Sequence, residues 1–180
     1  ASKFSDIAVY FTSPKGVQSL AFSDFCPSLV LECGQSQDST GIDHAYNYIE
    51  TVLTTPSLGK QGHGSLKLYH TTARVTVPAS TSIGDSESDT NSDILLNERL
   101  EDRNFTLLET GTLFATRHTD RHELIEVNSE SNEDVLDEYM DISQDQFLLK
   151  KPVVLSMFTT NQRAIRQDCI CYFMEEIHIG

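Results

Sequence analysis

The sequence predicts an α/β architecture, with an α/β part over residues 1–58 followed by a mostly β domain over 62–180. Three observations lead to it. Ile42, Ala45, Tyr46, Ile49, Val52 and Leu53 recur at the spacing of one helix face. Beyond residue 64 that period gives way to apolar/polar alternation, the period of a half-buried strand. Between the two lies 56–64 (PSLGKQGHG), a proline-led stretch with three glycines that reads as a linker.

In chain order, residues 6–11 (DIAVYF) are apolar and β-prone and predict a buried strand. Ser13 and Pro14 offer an N-cap followed by proline at the first helical position, opening a short helix that Pro27 ends. Residues 28–33 (SLVLEC) predict a second strand, of the continuous apolar kind that parallel sheets bury on both faces. An amphipathic helix follows over 41–55, with Ser39 or Thr40 as its cap and Pro56 just beyond its end. Leu66, Leu68 and His70, then Ala73, Val75 and Val77, read as period-2 strands. Residues 79–104 read as irregular, 105–116 as two short strands around Gly111, and 134–139 as an acidic turn or short helix. Residues 148–158, 164–166 and 168–174 read as closing strands.

Composition narrows the function classes. The 180 residues carry 27 acidic and 13 basic side chains, a formal net charge of −14. Residues 79–146 hold 18 acidic and 4 basic residues, so this one stretch carries the whole imbalance. Such a chain is repelled by phosphate backbones and anionic lipid, which argues against nucleic acid and membrane surfaces as partners. No apolar run approaches the roughly 20 residues of a membrane span. The first residues lack the basic-then-apolar pattern of a secretory signal, and an opening Ala1 suggests a processed, tagged or truncated start. Cys26, Cys33, Cys169 and Cys171 are too few and too irregular for a disulfide framework, and the expected setting is reducing and cytoplasmic.

Several residues are candidates for chemistry. Glu32 would end an apolar strand just before Gly34, where open α/β sheets place their ligands. A carboxyl there is suited to proton transfer, and its bland alternative is a loop cap or an ion pair. His118 and His122 would share a helix face and could clamp a metal, but HTDRH lies among turn residues, so exposed loop histidines are the favoured reading. Cys169 and Cys171 fall on one face of a strand and read as core, as does Cys33. His44 sits in the first turn of the 41–55 helix and reads as a surface histidine. Arg163, Arg166 and Asp168 read either as a surface ion pair or as the lining of a cleft mouth. Neither a G-x-S-x-G nor a G-x-x-x-x-G-K motif occurs.

The run CPSLVLECGQSQDSTGIDHAYNYIETVL at 26–53 resembles a signature of the succinylglutamate desuccinylase/aspartoacylase family, within the zinc carboxypeptidase superfamily. LYHTTARVTVP, FTLLETGTLFAT and KKPVVLSMFTTNQRAIRQDCICYFMEEI resemble, in order, the entry, a Gly-Thr turn segment and the closing strands of that family's β-rich domain. The resemblance implies that residues 1–58 are the C-terminal part of a zinc-carboxypeptidase-like α/β domain. It also implies zinc-dependent hydrolysis of the amide bond of a small N-acyl amino acid, with Glu32 as general base and then acid. The family's His-x-x-Glu pair and later histidine precede that glutamate. Here no histidine precedes Glu32, none has glutamate three residues on, and Arg74 is the first arginine. Zinc ligands are therefore expected upstream of this chain, which by itself is expected to be inactive. Two other readings stand beside this one: a non-catalytic acidic binding or regulatory module, and a homo-oligomer formed through an exposed sheet edge.

Overall fold

A computed structural model describes residues 1–13, 16–34, 39–56, 66–86, 89, 91–121 and 123–178. The chain divides between Tyr69 and His70: Ala1–Tyr69 with Ile177–Gly180 form one unit, and His70–Glu176 the other. The architecture is mixed α and β, mostly strands, in two sheets.

In the first unit the run at 6–11 forms strand β1, Ile7–Tyr10. Helix α1 is Gln18–Ser23, with Val17 at its N-cap and no side-chain cap bond, so it begins later than the Ser13–Pro14 start; Pro14 lies outside the described residues. The 42–53 periodicity forms helix α2, Ser39–Thr54, in which Ser39 and Thr40 are helical residues rather than caps. The strand expected over 28–33 is not formed. Those residues join no ladder among the described residues, and Leu29 and Val30 are more than half exposed. An apolar run becomes a strand only where a neighbouring backbone satisfies its N–H and C=O groups. Among the described residues before Tyr69 none is buried.

The second unit holds nearly all of the buried apolar residues. Strand β2, Lys67–Thr76, starts in the first unit, where the Lys67 amide donates to the Asp6 carbonyl at 2.8 Å. It is one strand, not two, with Tyr69, Thr71, Ala73 and Val75 inward, so Leu68 and His70 fall on the other face. Strand β3 (Ile94–Leu96) and a 3-10 helix (Glu98–Arg103) arise within the stretch expected to be irregular. Strands β4 (Leu107–Leu108) and β5 (Leu113–Arg117) flank the turn at Gly111, whose φ of +83° suits glycine. Strand β6 (Glu126–Ser129), helix α3 (Leu136–Tyr139) and strand β7 (Met140–Ser143) follow. The run at 148–158 splits at Pro152 into β8 (Gln146–Leu149) and β9 (Val153–Ser156). Residues 164–166 are helical, not extended. They belong to α4, Gln162–Gln167, whose N-cap Asn161 accepts from the Ala164 amide. Strand β10, Cys171–Ile177, ends the series.

One sheet has the order β1-β2-β10-β9-β4, with β6 also paired to β2, and the other has the order β3-β5-β8-β7. The paired registers given by β6 on β2, β9 on β10, β4 on β9 and every pair of the second sheet are antiparallel. Val75, Val127, Leu155 and Phe173 from the first sheet share one core cluster with Ile94, Phe114 and Phe147 from the second. Phe114 meets Phe158 and Phe173 edge-on at 5.5 and 6.0 Å between ring centres. Each such buried ring is worth about 1.5–3 kcal/mol of transfer free energy.

Candidate functional site

Glu32 is exposed on the extended segment that precedes α2, and it makes no hydrogen bond or ion pair with any described residue. Its segment lies against a glycine of α2. A Cβ at Gly41, in the first turn of α2, would lie 1.7 Å from the Cys33 carbonyl oxygen and 2.9 Å from its carbon. Only a residue without a side chain lets the backbone beside Glu32 come that close to the helix. The backbone next to Glu32 is thereby held against the first turn of a 16-residue helix. Cys33 is half-buried, with its thiol 3.7 Å from the Leu31 carbonyl. His44 is exposed; its Nε2 is 2.7 Å from the Phe4 carbonyl, and its ring lies 4.5 Å from the Phe4 ring.

The remaining candidates lie elsewhere. His118 is half-buried and follows the end of β5 rather than occupying a helix, so the face that would pair it with His122 is not built; His122 lies outside the described residues. Cys169 and Cys171 are buried, and burial pushes the Cys169 thiol up to about 11 and the Cys171 thiol well above its ordinary value. These are core thiols with low nucleophilicity at neutral pH. Arg163, Arg166 and Asp168 stand on α4 and its C-terminal end, not on a strand. Arg163 is exposed. Arg166 donates to the carbonyls of Pro78, at 2.9 Å, and Thr81. Asp168 pairs with Arg74 at 2.8 Å, and Arg74 also donates to the Asp168 carbonyl at 2.6 Å. Burial is the main cause that raises the neighbouring Tyr172 hydroxyl above its usual range.

A second polar cluster carried no recognisable motif. Asp93 accepts from the Ser82 amide and hydroxyl at 2.7 and 2.9 Å and from Arg121 at 3.3 Å, and Arg121 also donates to the Ser80 carbonyl and hydroxyl. The Ser82 amide and hydroxyl, with a smaller contribution from Arg121, hold the Asp93 carboxyl below its ordinary value. Gln162 donates to the Ile83 carbonyl and to Asp85. Residues from β5's following loop and from α4 thus tie down the 78–85 loop, and their roles are architectural.

Among the described residues no three of His, Cys, Asp and Glu gather as a metal ion would need, so they do not by themselves fit a zinc site. Among them, too, no helix is long and apolar enough to cross a membrane. No family model, curated protein or solved structure matches this chain at a significant level.

Proposed function

We propose that this chain is part of a zinc-dependent hydrolase that cleaves the amide bond of a small N-acyl amino acid, with Glu32 as the proton-transfer group. The observation that carries the reading is the combination at Glu32: a solvent-facing carboxylate, without a partner among the described residues, on a segment packed against Gly41 at the start of α2. The ordered resemblance of four sequence segments supports it from a second direction. In this role Glu32 takes a proton from the attacking water and later gives it to the leaving amine, work worth typically 10²- to 10⁴-fold in rate. Zinc, held by residues other than those described here, would polarise the carbonyl.

The test is made on the protein at its native length, loaded with zinc. Glu32→Gln should leave zinc content unchanged and lower kcat by about 10²-fold or more. Retained turnover at normal zinc content would remove Glu32 from the role. The charge of the second unit favours an alternative reading as an acidic binding module, since His70–Glu176 carries 21 acidic and 9 basic residues, a formal −12. That reading expects a complex with a basic partner that weakens steeply with salt.

A further inference from the structure

An edge strand carries backbone N–H and C=O groups on its outer side that can pair with a further strand. In the second unit most edges are closed or very short. The 82–84 segment lies along β3, where the Gly84 amide donates to the Ile94 carbonyl at 2.7 Å and the Ile94 amide to the Ser82 carbonyl at 3.1 Å. The 133–135 segment lies along β6, where the Val135 amide donates to the Val127 carbonyl and the Ser129 amide to the Glu133 carbonyl. Strand β4 has two residues. Strand β7 has four and stands at the end of its sheet, with Asp141, Ile142 and Ser143 exposed.

The register fixes which groups of β7 face outward. The Lys150 amide donates to the Tyr139 carbonyl at 2.8 Å, so Tyr139 and, by alternation, Asp141 and Ser143 turn their backbone groups toward β8. The Leu149 amide and carbonyl are taken by Thr112 and Gly111 on the β5 side, so its partner Met140, and then Ile142, face away from β8. The Met140 amide is taken by the Leu136 carbonyl. The Ile142 amide, the Ile142 carbonyl and the Met140 carbonyl are left with no backbone partner among the described residues.

We propose that this edge takes an extended, lysine- or arginine-rich segment of another protein as a fifth strand on the four-stranded sheet. The inference rests on the reading of the chain as an acidic binding module, and gives that module a site and a class of partner. Charge selects the occupant. From Asp134 to Asp145 the chain has five acidic residues and no basic one. Asp141 has no partner among the described residues, and Glu138 and Asp145 approach Lys151 and Arg117 only at 4.0 and 3.7 Å. A second copy on this edge would set the same acidic residues against themselves. Edges are commonly guarded by Lys, Pro or a bulge. Strand β7 has none of these, and its pairing with β8 is unbroken. Its carboxylates repel a copy of the chain and attract a basic segment. Asp141 and Ser143 lie on one face of the strand and Ile142, 37% exposed, on the other. The matching segment therefore alternates, with a cationic side chain beside Asp141 and an apolar one beside Ile142.

The test uses the full 180-residue chain and a fluorescent peptide of about ten residues in which lysine alternates with valine or threonine, read by anisotropy. The peptide should bind with a dissociation constant on the order of 10 µM in ~50 mM salt and at least tenfold more weakly in ~0.5 M salt. The same peptide with every backbone amide N-methylated keeps its charge but cannot donate to the edge, and should bind about tenfold more weakly or worse. Ile142→Pro removes an amide that β8 does not use, is of a kind that edge strands tolerate, and should weaken the unmodified peptide by a similar factor. Asp141→Lys should weaken it about fivefold. Should Ile142→Pro lose the near-ultraviolet circular dichroism of the fold, Asp141→Lys and the methylated peptide decide. Equal binding of the methylated peptide, or unchanged binding to a folded Ile142→Pro or to Asp141→Lys, would remove β7 as the site while leaving an acidic binding module. Failure of the unmodified peptide to bind at ~1 mM would remove both. A dimer of the chain that Ile142→Pro abolishes would give the edge to a second copy and overturn the proposal.

Discussion

Gly41→Ala sets two effects of opposite sign against each other on one residue. Inside a helix, replacing glycine by alanine stabilises by about 1 kcal/mol. The added Cβ, however, would sit 1.7 Å from the Cys33 carbonyl oxygen, where non-bonded carbon contacts lie at about 3.5 Å. One of the two backbones must therefore move by more than 1 Å. The helix is held by its own hydrogen bonds, whereas residues 28–34 join no ladder among the described residues and none of them is buried, so this segment is the one that yields. Global stability should change by less than about 1 kcal/mol while the Glu32–Cys33 backbone is released. Thiol labelling in a Cys26→Ser background reads that release directly. Cys33 is half-buried, and Cys169 and Cys171 are buried core thiols that serve as a slow internal reference. Cys33 should label about tenfold faster in Gly41→Ala, the effect of about 1.4 kcal/mol of local destabilisation, with α2 amide exchange no faster than before. An unchanged Cys33 rate would show that Gly41 does not position this segment.

Two further changes probe the second unit. Asp93→Asn keeps the shape of the side chain but removes the charge that the Ser82 amide and hydroxyl favour, and should cost about 1–2 kcal/mol in urea unfolding. Asp93 and Glu101 both have lowered folded-state pKa values, Glu101 because the Thr160 amide and hydroxyl donate to it. Their stabilisation is complete above the unfolded carboxylate value near ~4 and is lost as pH falls through the lower folded values. Asp93→Asn should therefore flatten the acid limb of the stability curve, and an unaltered limb would contradict the assignment. Phe114→Ala deletes a fully buried ring that meets two others, and should cost about 3–5 kcal/mol, read by near-ultraviolet circular dichroism because the chain has no Trp. A loss under about 1 kcal/mol would mean that the site collapses around the cavity.

What the sequence disclosed depended on whether the signal was local. The 3.6-residue period of α2 and the turn at Gly111 were legible because helix faces and positive-φ turns are set by a few neighbouring residues. The strand expected over 28–33 failed because strand formation depends on a partner backbone that composition does not display. Helix α4 was read as extended, although Asn161 followed by Ile165 is a capping signal; six residues give too short a period to outweigh the β-prone runs on either side. At the candidate site, Glu32 was visible as a charge after an apolar run. The contact of Gly41 with Cys33 was not, since closeness across eight residues of sequence leaves no mark in spacing. The Asp93 and Arg121 cluster escaped for the same reason: its members come from positions 80, 82, 93 and 121.

Strand β10 is last in chain order, yet it lies between β2 and β9 in the middle of its sheet. Thr72 on β2 reaches the Phe173 carbonyl across 101 residues, and the Ile170 amide reaches the Val75 carbonyl. As the polypeptide leaves the ribosome, β2 and β9 emerge before β10, with a gap between them that this later strand fills. Until then each presents an unpaired edge, the state most open to association with other nascent chains. Contacts of such long sequence separation also make closure slow. Strand β10 thus completes the sheet between β2 and β9, and the formal −12 of His70–Glu176 sets like-charge repulsion against such association.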